Sequence, residues 1–196
     1  MSLYIQNTDK KKAIAMQSDL VATSKFLSYV LRHHPAAIGI TLDKQGWINV
    51  DKLLLAIQQS GRNISLELLQ EVVFTNDKQR FAFSADGQKI RANQGHSIDI
   101  DLALESQLPP QILYHGTAQR FLEAIQAEGL KKMQRHHVHL SPTLAIAEAV
   151  GQRHGKVVVL GITARTMHMK GHEFFLSNNG VWLTDHVPPE FMSIVQ

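Results

Sequence analysis

The 196-residue chain contains 44% hydrophobic and 19% charged residues, proportions typical of a folded globular protein, which exclude wholesale disorder. It contains no cysteine, which excludes a disulfide scaffold, thiol chemistry and a thiolate metal site. The formal net charge of +3 is mild, so any nucleic-acid binding would depend on locally clustered basic residues.

No membrane-spanning segment is predicted, because no stretch approaches the roughly 20 consecutive apolar residues that such a helix needs. The N-terminal residues carry their lysines after the apolar residues and lack a long apolar core, a pattern that does not indicate a signal peptide. With the absence of cysteine, these features favour a cytoplasmic location.

The first half of the chain is predicted to form helices followed by a β-hairpin. Apolar periodicity predicts a first helix over residues 18–33, capped by Ser18 or Asp19 and closed by Pro35. The other elements predicted here are a strand over 47–50, helices over 51–61 and 65–74, and a hairpin over 80–92 that turns at Asp86-Gly87. This order is typical of a winged-helix module.

The second half is predicted to be richer in strands. An acidic segment with two adjacent prolines is interpreted as a linker over 98–111, which divides the chain into lobes over 1–97 and 112–196. The predicted elements are strands over 112–117, 137–141 and 156–163, helices over 118–129 and 142–151, and a hairpin over 174–184. Pro142 is expected in the first turn of its helix, and Asn179-Gly180 favours the tight turn that matches strand twist. The expected fold class is therefore α+β.

Three arginines lie beside structure breakers. Arg32 precedes His33 at the end of the first predicted helix, Arg91 lies near the end of the predicted hairpin, where a polar stretch begins, and Arg153 follows a later helix. Each has an ordinary interpretation: a solvated helix end, a polar turn and an isolated surface charge, respectively. Together they suit a phosphate group, because each planar guanidinium can hold two phosphate oxygens and cannot lose its proton.

Histidines offer a second kind of site. Strand alternation puts His137 and His139 on one face, but no carboxylate lies nearby in the sequence to complete a metal-ligand set, so we expect no metal. We interpret these imidazoles, with His115 beside Gly116 and Thr117, as a nucleotide-recognition site. The remaining histidines of this half are interpreted as structural. No P-loop, GxGxxG or serine–histidine–acid order is present.

Five motifs in order, LRHHP, IRANQGHS, LYHGT, HVHLS and NNGVWLT, resemble the RNA 2′-phosphotransferase family over residues 24–192. Members of that family remove the splice-junction 2′-phosphate from tRNA. The resemblance implies an N-terminal winged-helix RNA-binding lobe and a C-terminal lobe like that of ADP-ribosyltransferases with a mixed β-sheet. It also implies NAD⁺ as a consumed co-substrate and a tRNA-like RNA as partner, and we expect a monomer.

The resemblance also implies roles for individual residues. The catalytic set carries over to Arg32, His33 and Arg91, and its last member to Arg153, with Arg135 as the competing candidate. The NAD-binding positions carry over to His115, Gly116, Thr117, His139, Leu140 and Ser141, with Asn179 and Gly180 joining them. We further expect RNA or phosphate contacts from Lys25, Arg80, Gln94, His96 and Arg135.

The reaction implied is the removal of an internal RNA 2′-phosphate through a 2′-phospho-ADP-ribosylated RNA, which releases nicotinamide and ADP-ribose 1″,2″-cyclic phosphate. One alternative is an ADP-ribosyltransferase that modifies nucleic-acid or metabolite phosphates. Against protein modification, the NNGVWLT segment lacks the glutamate that ordinary ADP-ribosyltransferases place there. The other alternative is a winged-helix regulator with a nucleotide-sensing lobe, but its predicted recognition helix over 65–74 contains two glutamates and no basic residue.

Overall fold

A computed structural model describes residues 2–76 and 78–195, with side chains described from residue 17 onward. In that part of the chain it is a mixed α/β structure of six α-helices and small sheets of two or three strands. The chain divides into two compact units, unit 1 (Met1–Leu102) and unit 2 (Ala103–Gln196). This division falls inside the segment 98–111 that the sequence predicts as a linker.

Unit 1 consists of helices and one small antiparallel sheet. Its strands lie in the order β1-β3-β2, with Ile48 opposite Ile90 and Phe81 opposite Ala92. Its elements are α1 (Ser2–Arg32), a short 3-10 helix (Pro35–Ile38), β1 (Ile48–Asn49), α2 (Val50–Gln59), α3 (Leu66–Phe74), β2 (Phe81–Phe83) and β3 (Lys89–Ala92).

The start of α1 differs from the prediction. The helix begins at Ser2, so Ser18 and Asp19 lie inside it and cap nothing. Residues 2–17 contain neither glycine nor proline, so no residue in this segment interrupts the helix before position 18. The predicted end is confirmed, since Arg32 is the last helical residue and Pro35 follows in a separate 3-10 helix.

The two later helices of unit 1 begin at polar caps. The Asn49 side chain accepts a hydrogen bond from the Lys52 amide, and Ser65 Oγ accepts one from the Leu68 amide, as the sequence predicted for Ser65. Their apolar faces pack with the sheet into one core. Its fully buried members are Leu27, Val30, Leu31, Leu53, Ile57, Leu69, Ile90 and Ala92.

Unit 2 contains small antiparallel sheets and short helices. Two three-stranded sheets have the orders β11-β7-β4 and β6-β9-β8, and β10 pairs with β5. Its elements are β4 (Leu113–Ala118), α4 (Leu122–Glu128), β5 (Leu130–Lys131), β6 (Val138–Leu140), α5 (Leu144–Gly151), β7 (Val157–Ile162), α6 (Ala164–Met169), β8 (Phe175–Leu176), β9 (Trp182–Thr184), β10 (His186–Val187) and β11 (Met192–Ile194).

Two local predictions in unit 2 are wrong. Pro142 precedes α5 instead of lying in its first turn, because Thr143 is the cap and its Oγ1 accepts a hydrogen bond from the Ile146 amide. The hairpin of β8 and β9 is confirmed, but its loop is longer than the tight two-residue turn. Ser177 N donates to Val181 O at 3.0 Å, and Gly180 takes a positive φ of 75°. This geometry is that of a three-residue loop with a left-handed last residue.

The close packing of α5 on β4 requires a glycine in β4. A Cβ atom at position 116 would lie 1.7 Å from the Ala147 carbonyl oxygen and 2.9 Å from the Gly151 amide nitrogen. Because both neighbours are backbone atoms, no side-chain movement relieves the clash. Gly116 therefore lets α5 support β4 directly behind His115.

Candidate active site

In unit 1, the end of α1 is tied to the loop that follows β3. Arg32 O accepts a hydrogen bond from Ser97 N at 3.0 Å, and His33 Nδ1 lies 2.8 Å from Ser97 Oγ. Arg32 Nη2 donates to Arg80 O at 3.3 Å, and its guanidinium carbon lies 5.9 Å from the centroid of the Phe81 ring. These contacts hold Arg32 and His33 at a fixed end of the helix.

Arg91 lies on the other face of β3 from the buried Ile90 and Ala92. Its Cζ atom is 4.5 Å from the centroid of the Trp47 ring, and its Nη1 donates to Gln45 O at 3.4 Å. Its Nε is buried and has no hydrogen-bond partner among the residues that the structure describes. Burial lowers the pKa of Arg91 and the carboxylate of Asp43 partly offsets this, but the group stays protonated at neutral pH.

The residues predicted to contact RNA in unit 1 differ in exposure. Lys25 is exposed on α1 and Gln94 is half-buried in the loop after β3. Arg80 Nη1 donates to Ser24 Oγ at 3.1 Å. His96 is only 1% exposed and packs beside Gly46, so its location fits a structural role in the loop after β3. Its contact with RNA stays a prediction.

We call Arg32, His33 and Arg91 the arginine set. The structure links them through one short stretch, since Arg91 is the third of the four residues of β3 and Ser97, six residues later, bonds to both Arg32 and His33. Arg91 is a permanent cation with an unsatisfied buried N–H, and this combination is suited to an anion.

In unit 2, His115 and His139 lie on neighbouring strands. His115 Nδ1 is 3.0 Å from the carbonyl oxygen of His139, so Nδ1 carries the proton and Nε2 of the neutral ring accepts. Burial lowers the pKa of His115 below its usual value of 6.5, and Arg135 and His154 lower it further. The hydrogen bond to His139 O opposes this shift. His115 is therefore a neutral acceptor at neutral pH.

Arg135 fixes the other imidazole. Its Nη1 lies 3.3 Å from His139 Nδ1, and because a guanidinium only donates, His139 Nδ1 accepts. The proton of this neutral ring is therefore on Nε2. We call His115, His139 and Arg135 the histidine set; it presents one imidazole acceptor and one imidazole donor.

The backbone of β4 adds further polar groups. Tyr114 and Ser141 exchange two hydrogen bonds, at 2.9 and 2.7 Å, in an isolated bridge between β4 and the end of β6. Because ladder bonds alternate along a strand, Gly116 directs its N–H and C=O to the same side as Tyr114, away from β7. Thr117 and Leu140 are buried, at 6% and 1% exposure.

The remaining predicted residues of unit 2 lie in loops. Asn179 Oδ1 accepts from Ser177 Oγ at 2.7 Å within the loop of β8 and β9, which also contains Gly180. Arg153 is exposed in a short 3-10 helix (Gln152–His154) directly after α5. The structure thus places Arg32 and Arg91 in unit 1, and Arg153 and Arg135 in unit 2.

Sequence reasoning missed Trp47, Gln45 and Ser97 as neighbours of the arginine set. The signal for Trp47 was its position at the start of the first predicted strand, directly after Gly46. Recognising it required the pairing of that strand with β3, which periodicity alone does not give.

The described part of the chain contains neither a metal-ligand cluster nor a membrane-spanning helix. Among residues 17–76 and 78–195, no three His, Asp or Glu side chains lie close enough together to hold a metal ion. His137 packs 5.4 Å from the ring of Phe175, and burial lowers its pKa. No helix in the described ranges has the length and apolar character needed to cross a membrane.

Arginines chemically suited to a phosphate in unit 1, and histidines with defined hydrogen-bonding roles in unit 2, are features typical of an enzyme that acts on phosphate-bearing substrates. Residues 18–186 match the family described as RNA 2'-phosphotransferase, Tpt1 / KptA family. Because the match covers most of the chain, this protein belongs to the RNA 2′-phosphotransferase family.

Similar proteins carry the same description. A probable RNA 2'-phosphotransferase of Hahella chejuensis is 52% identical over 180 residues, which cover 92% of this chain and 97% of the relative. Proteins of the same description from Rhodopirellula baltica and Pseudomonas fluorescens are 53% and 54% identical, over 89% and 87% of this chain. These matches cover 95% and 94% of the two relatives, respectively.

Proposed function

We propose that this protein removes an internal 2′-phosphate from RNA with consumption of NAD⁺. The products are RNA with a free 2′-hydroxyl, nicotinamide and ADP-ribose 1″,2″-cyclic phosphate. The observation that carries the proposal is the family match over residues 18–186. The arginine set and the histidine set support it, because each offers the polar groups that one of the two substrates needs.

The arginine set suits the RNA 2′-phosphate. A phosphate monoester carries about −1.5 to −2 charges near neutral pH, and Arg32 and Arg91 supply permanent positive charges. The buried Nε of Arg91 gains the hydrogen bond that it lacks in the described structure when a phosphate oxygen binds. Arg153 is the proposed fourth member of this set.

The histidine set suits NAD⁺. The carboxamide of nicotinamide has one N–H₂ donor and one C=O acceptor, and the peptide groups of Gly116 provide the complementary pair. His115 Nε2 adds a neutral acceptor for a ribose hydroxyl, and His139, on the neighbouring strand, is assigned to the same ligand. In this assignment Arg135 orients His139, and Thr117, Leu140, Ser141, Asn179 and Gly180 line the same site.

The first step forms a bond between the RNA and the ADP-ribose. An oxygen of the RNA 2′-phosphate, which is already nucleophilic, attacks C1″ of the nicotinamide ribose of NAD⁺. The C1″–N bond breaks and nicotinamide leaves, so the RNA phosphate becomes attached to ADP-ribose. No general base is needed, because the attacking oxygen carries no proton at neutral pH.

The second step releases the RNA. The ribose 2″-hydroxyl attacks phosphorus, the bond from phosphorus to the RNA 2′-oxygen breaks, and the cyclic phosphate forms. The 2″-hydroxyl loses a proton and the RNA 2′-oxygen gains one. Arg32 and Arg91 stabilise the charge on the phosphoryl oxygens, and His33, held by Ser97, orients the group or moves the proton.

We further propose that unit 1 is a winged-helix RNA-binding lobe and that unit 2 is an ADP-ribosyltransferase-like lobe. Helices α2 and α3 followed by the hairpin of β2 and β3 support the first assignment. The separate small sheets, with His115 on β4 and His139 on β6, support the second. The proposed substrate is a tRNA-like RNA, and the absence of cysteine fits action in the cytoplasm.

The test uses the full chain, NAD⁺ and two RNAs of one sequence, one with an internal 2′-phosphate and one with a 2′-hydroxyl. We expect nicotinamide release only with the phosphorylated RNA, accompanied by the cyclic product in a chromatographic assay. Persistent ADP-ribosylated RNA would indicate a transferase that stops after the first step. Absence of nicotinamide release with both RNAs would refute the proposal.

A further inference from the structure

Trp47 lies opposite Arg91 in the small sheet of unit 1. The β1–β3 register pairs Ile48 with Ile90 and Asn49 with Lys89, so one further step along the antiparallel pair brings Trp47 to Arg91. Because side chains alternate between faces, both lie on the face away from Ile48 and Ile90, which are buried. The distance of 4.5 Å from Arg91 Cζ to the Trp47 ring centroid is that of a cation–π contact.

The backbone on either side of Trp47 is braced by Asp43. Its Oδ1 accepts hydrogen bonds from Gln45 N at 3.0 Å and from Trp47 N at 2.9 Å. Asp43 N donates to Trp47 O at 3.0 Å, and Gly46, with a φ of 81°, donates to Asp43 O at 2.9 Å. The turn therefore fixes the indole and the Gln45 carbonyl relative to β3.

These contacts use one face and one edge of the Arg91 guanidinium. Trp47 covers a face, and Gln45 O accepts from Nη1 at 3.4 Å. The other edge consists of Nε and Nη2, whose N–H bonds point the same way and can hold two oxygens of one phosphate. Nε, on this edge, is buried without a partner among the described residues.

We propose that Trp47 is a positioning residue for the RNA 2′-phosphate and acts through Arg91. Its ring holds the guanidinium in the orientation that turns the Nε and Nη2 edge to the phosphate. This inference rests on the proposed function, since it assumes that Arg91 binds the phosphate.

The experiment measures RNA binding without NAD⁺, by fluorescence anisotropy of a labelled RNA. The probes are two RNAs of one sequence with an internal 2′-phosphate or a 2′-hydroxyl. Trp47→Leu, which removes the aromatic face, is expected to weaken binding of the phosphorylated RNA about 10-fold and of the other RNA less than about twofold. Trp47→Phe, which keeps a flat face, is expected to retain most of the preference.

A double variant separates positioning from general support of the fold. If Trp47 acts through Arg91, the Arg91→Ala/Trp47→Leu double variant binds the phosphorylated RNA no more weakly than Arg91→Ala alone. A further loss in the double variant, equal losses for both RNAs, or unchanged binding by Trp47→Leu would each overturn the inference. Because no turnover is measured, this result is independent of nicotinamide release, on which the proposed function depends.

Discussion

The arginine set of unit 1 and the histidine set of unit 2 differ in charge and in what holds them. In unit 1, guanidinium groups are held by backbone carbonyls and aromatic faces, and they keep their charge at any pH the protein meets. In unit 2, two imidazoles are held in defined neutral tautomers by a carbonyl and an arginine. If the proposed function is right, the arginine set recognises its ligand by charge and the histidine set by the direction of hydrogen bonds.

The largest effect is expected from a substitution of Arg91 in the arginine set. Arg91→Ala should lower kcat/KM about 100-fold or more, because it removes a charge donor positioned for the phosphate. Arg91→Lys should recover only part of the activity, since an ammonium lacks the planar fork. The measurement is steady-state nicotinamide release with the phosphorylated RNA.

Arg62→Ala is the matched control. Arg62 also stacks on an aromatic ring, with its Cζ atom 4.5 Å from the centroid of the Phe26 ring, but it is not one of the proposed site residues. Its removal should leave turnover near the wild-type value. Near-normal turnover by Arg91→Ala would remove Arg91 from the site.

The second prediction concerns the packing of α5 on β4, the strand that carries His115 of the histidine set. Gly116→Ala should lower the free energy of unfolding by about 3 kcal/mol, because its Cβ would meet backbone atoms of α5. Gly87→Ala, at a φ of 71° in open space, should cost about 1 kcal/mol from backbone strain alone. Urea unfolding compares the two, and equal costs would show that α5 does not pack on β4 as described.

The third prediction concerns pH. Since burial holds the pKa of His115 below 6.5, the neutral ring and its Nε2 acceptor persist through neutral pH. The affinity for NAD⁺ should stay level from pH 8 to about 6.5 and fall only at more acidic pH, where protonation removes the acceptor. His115→Ala should weaken NAD⁺ binding about 10-fold and remove that pH dependence. Calorimetric titration checks both, and an affinity that rises on acidification would contradict the assignment.

The lowered pKa of His115 also makes the free energy of unfolding depend on pH. His115 binds a proton more readily in the unfolded chain than in the folded protein. The contribution of this neutral ring to stability is therefore fully present well above pH 6.5. It is lost as the pH falls below 6.5. Subtracting the unfolding curves of His115→Ala from those of the wild type isolates it.

The smallest effect is expected at the exposed Lys25. Lys25→Gln should weaken RNA binding about threefold and reduce the slope of log K against log salt by about 1, equally for RNAs with and without the 2′-phosphate. This behaviour contrasts with that of Trp47, whose removal should affect only the phosphorylated RNA. A Lys25 variant with an unchanged salt slope would exclude contact with the RNA backbone.

The secondary structure was predictable where local signals are strong. Ser65 as a cap, the turn at Asp86-Gly87 and the β4, β6 and β7 strands are confirmed because caps, turn residues and apolar runs act locally. The sequence analysis missed α6, β5, β10 and β11, which are short elements of two to six residues. The three strands form through pairing with distant partners, as β11 does with β7, and α6 is too short to show a clear helical period, so none of the four has a periodic signal of its own.

The residue types of the candidate site were predictable from the sequence, but the contacts that these residues make were less so. Arg32, His33, Arg91, His115 and His139 were named as candidates because arginine and histidine stand beside structure breakers or on predicted strands, and their roles stay predictions. The contacts of Arg91 with Trp47 and of His33 with Ser97 span 44 and 64 positions, and they depend on strand register and loop path. The tautomers of His115 and His139 likewise follow from neighbours that only the fold supplies.

The most direct test of the account follows the phosphorus atom. An RNA with one internal 2′-phosphate is incubated with the protein and NAD⁺, and ³¹P NMR is recorded while nicotinamide is quantified. The account predicts that the monoester signal is replaced by that of a five-membered cyclic phosphate, with one nicotinamide released per phosphate lost. Release of inorganic phosphate, or loss of the 2′-phosphate without nicotinamide, would contradict it.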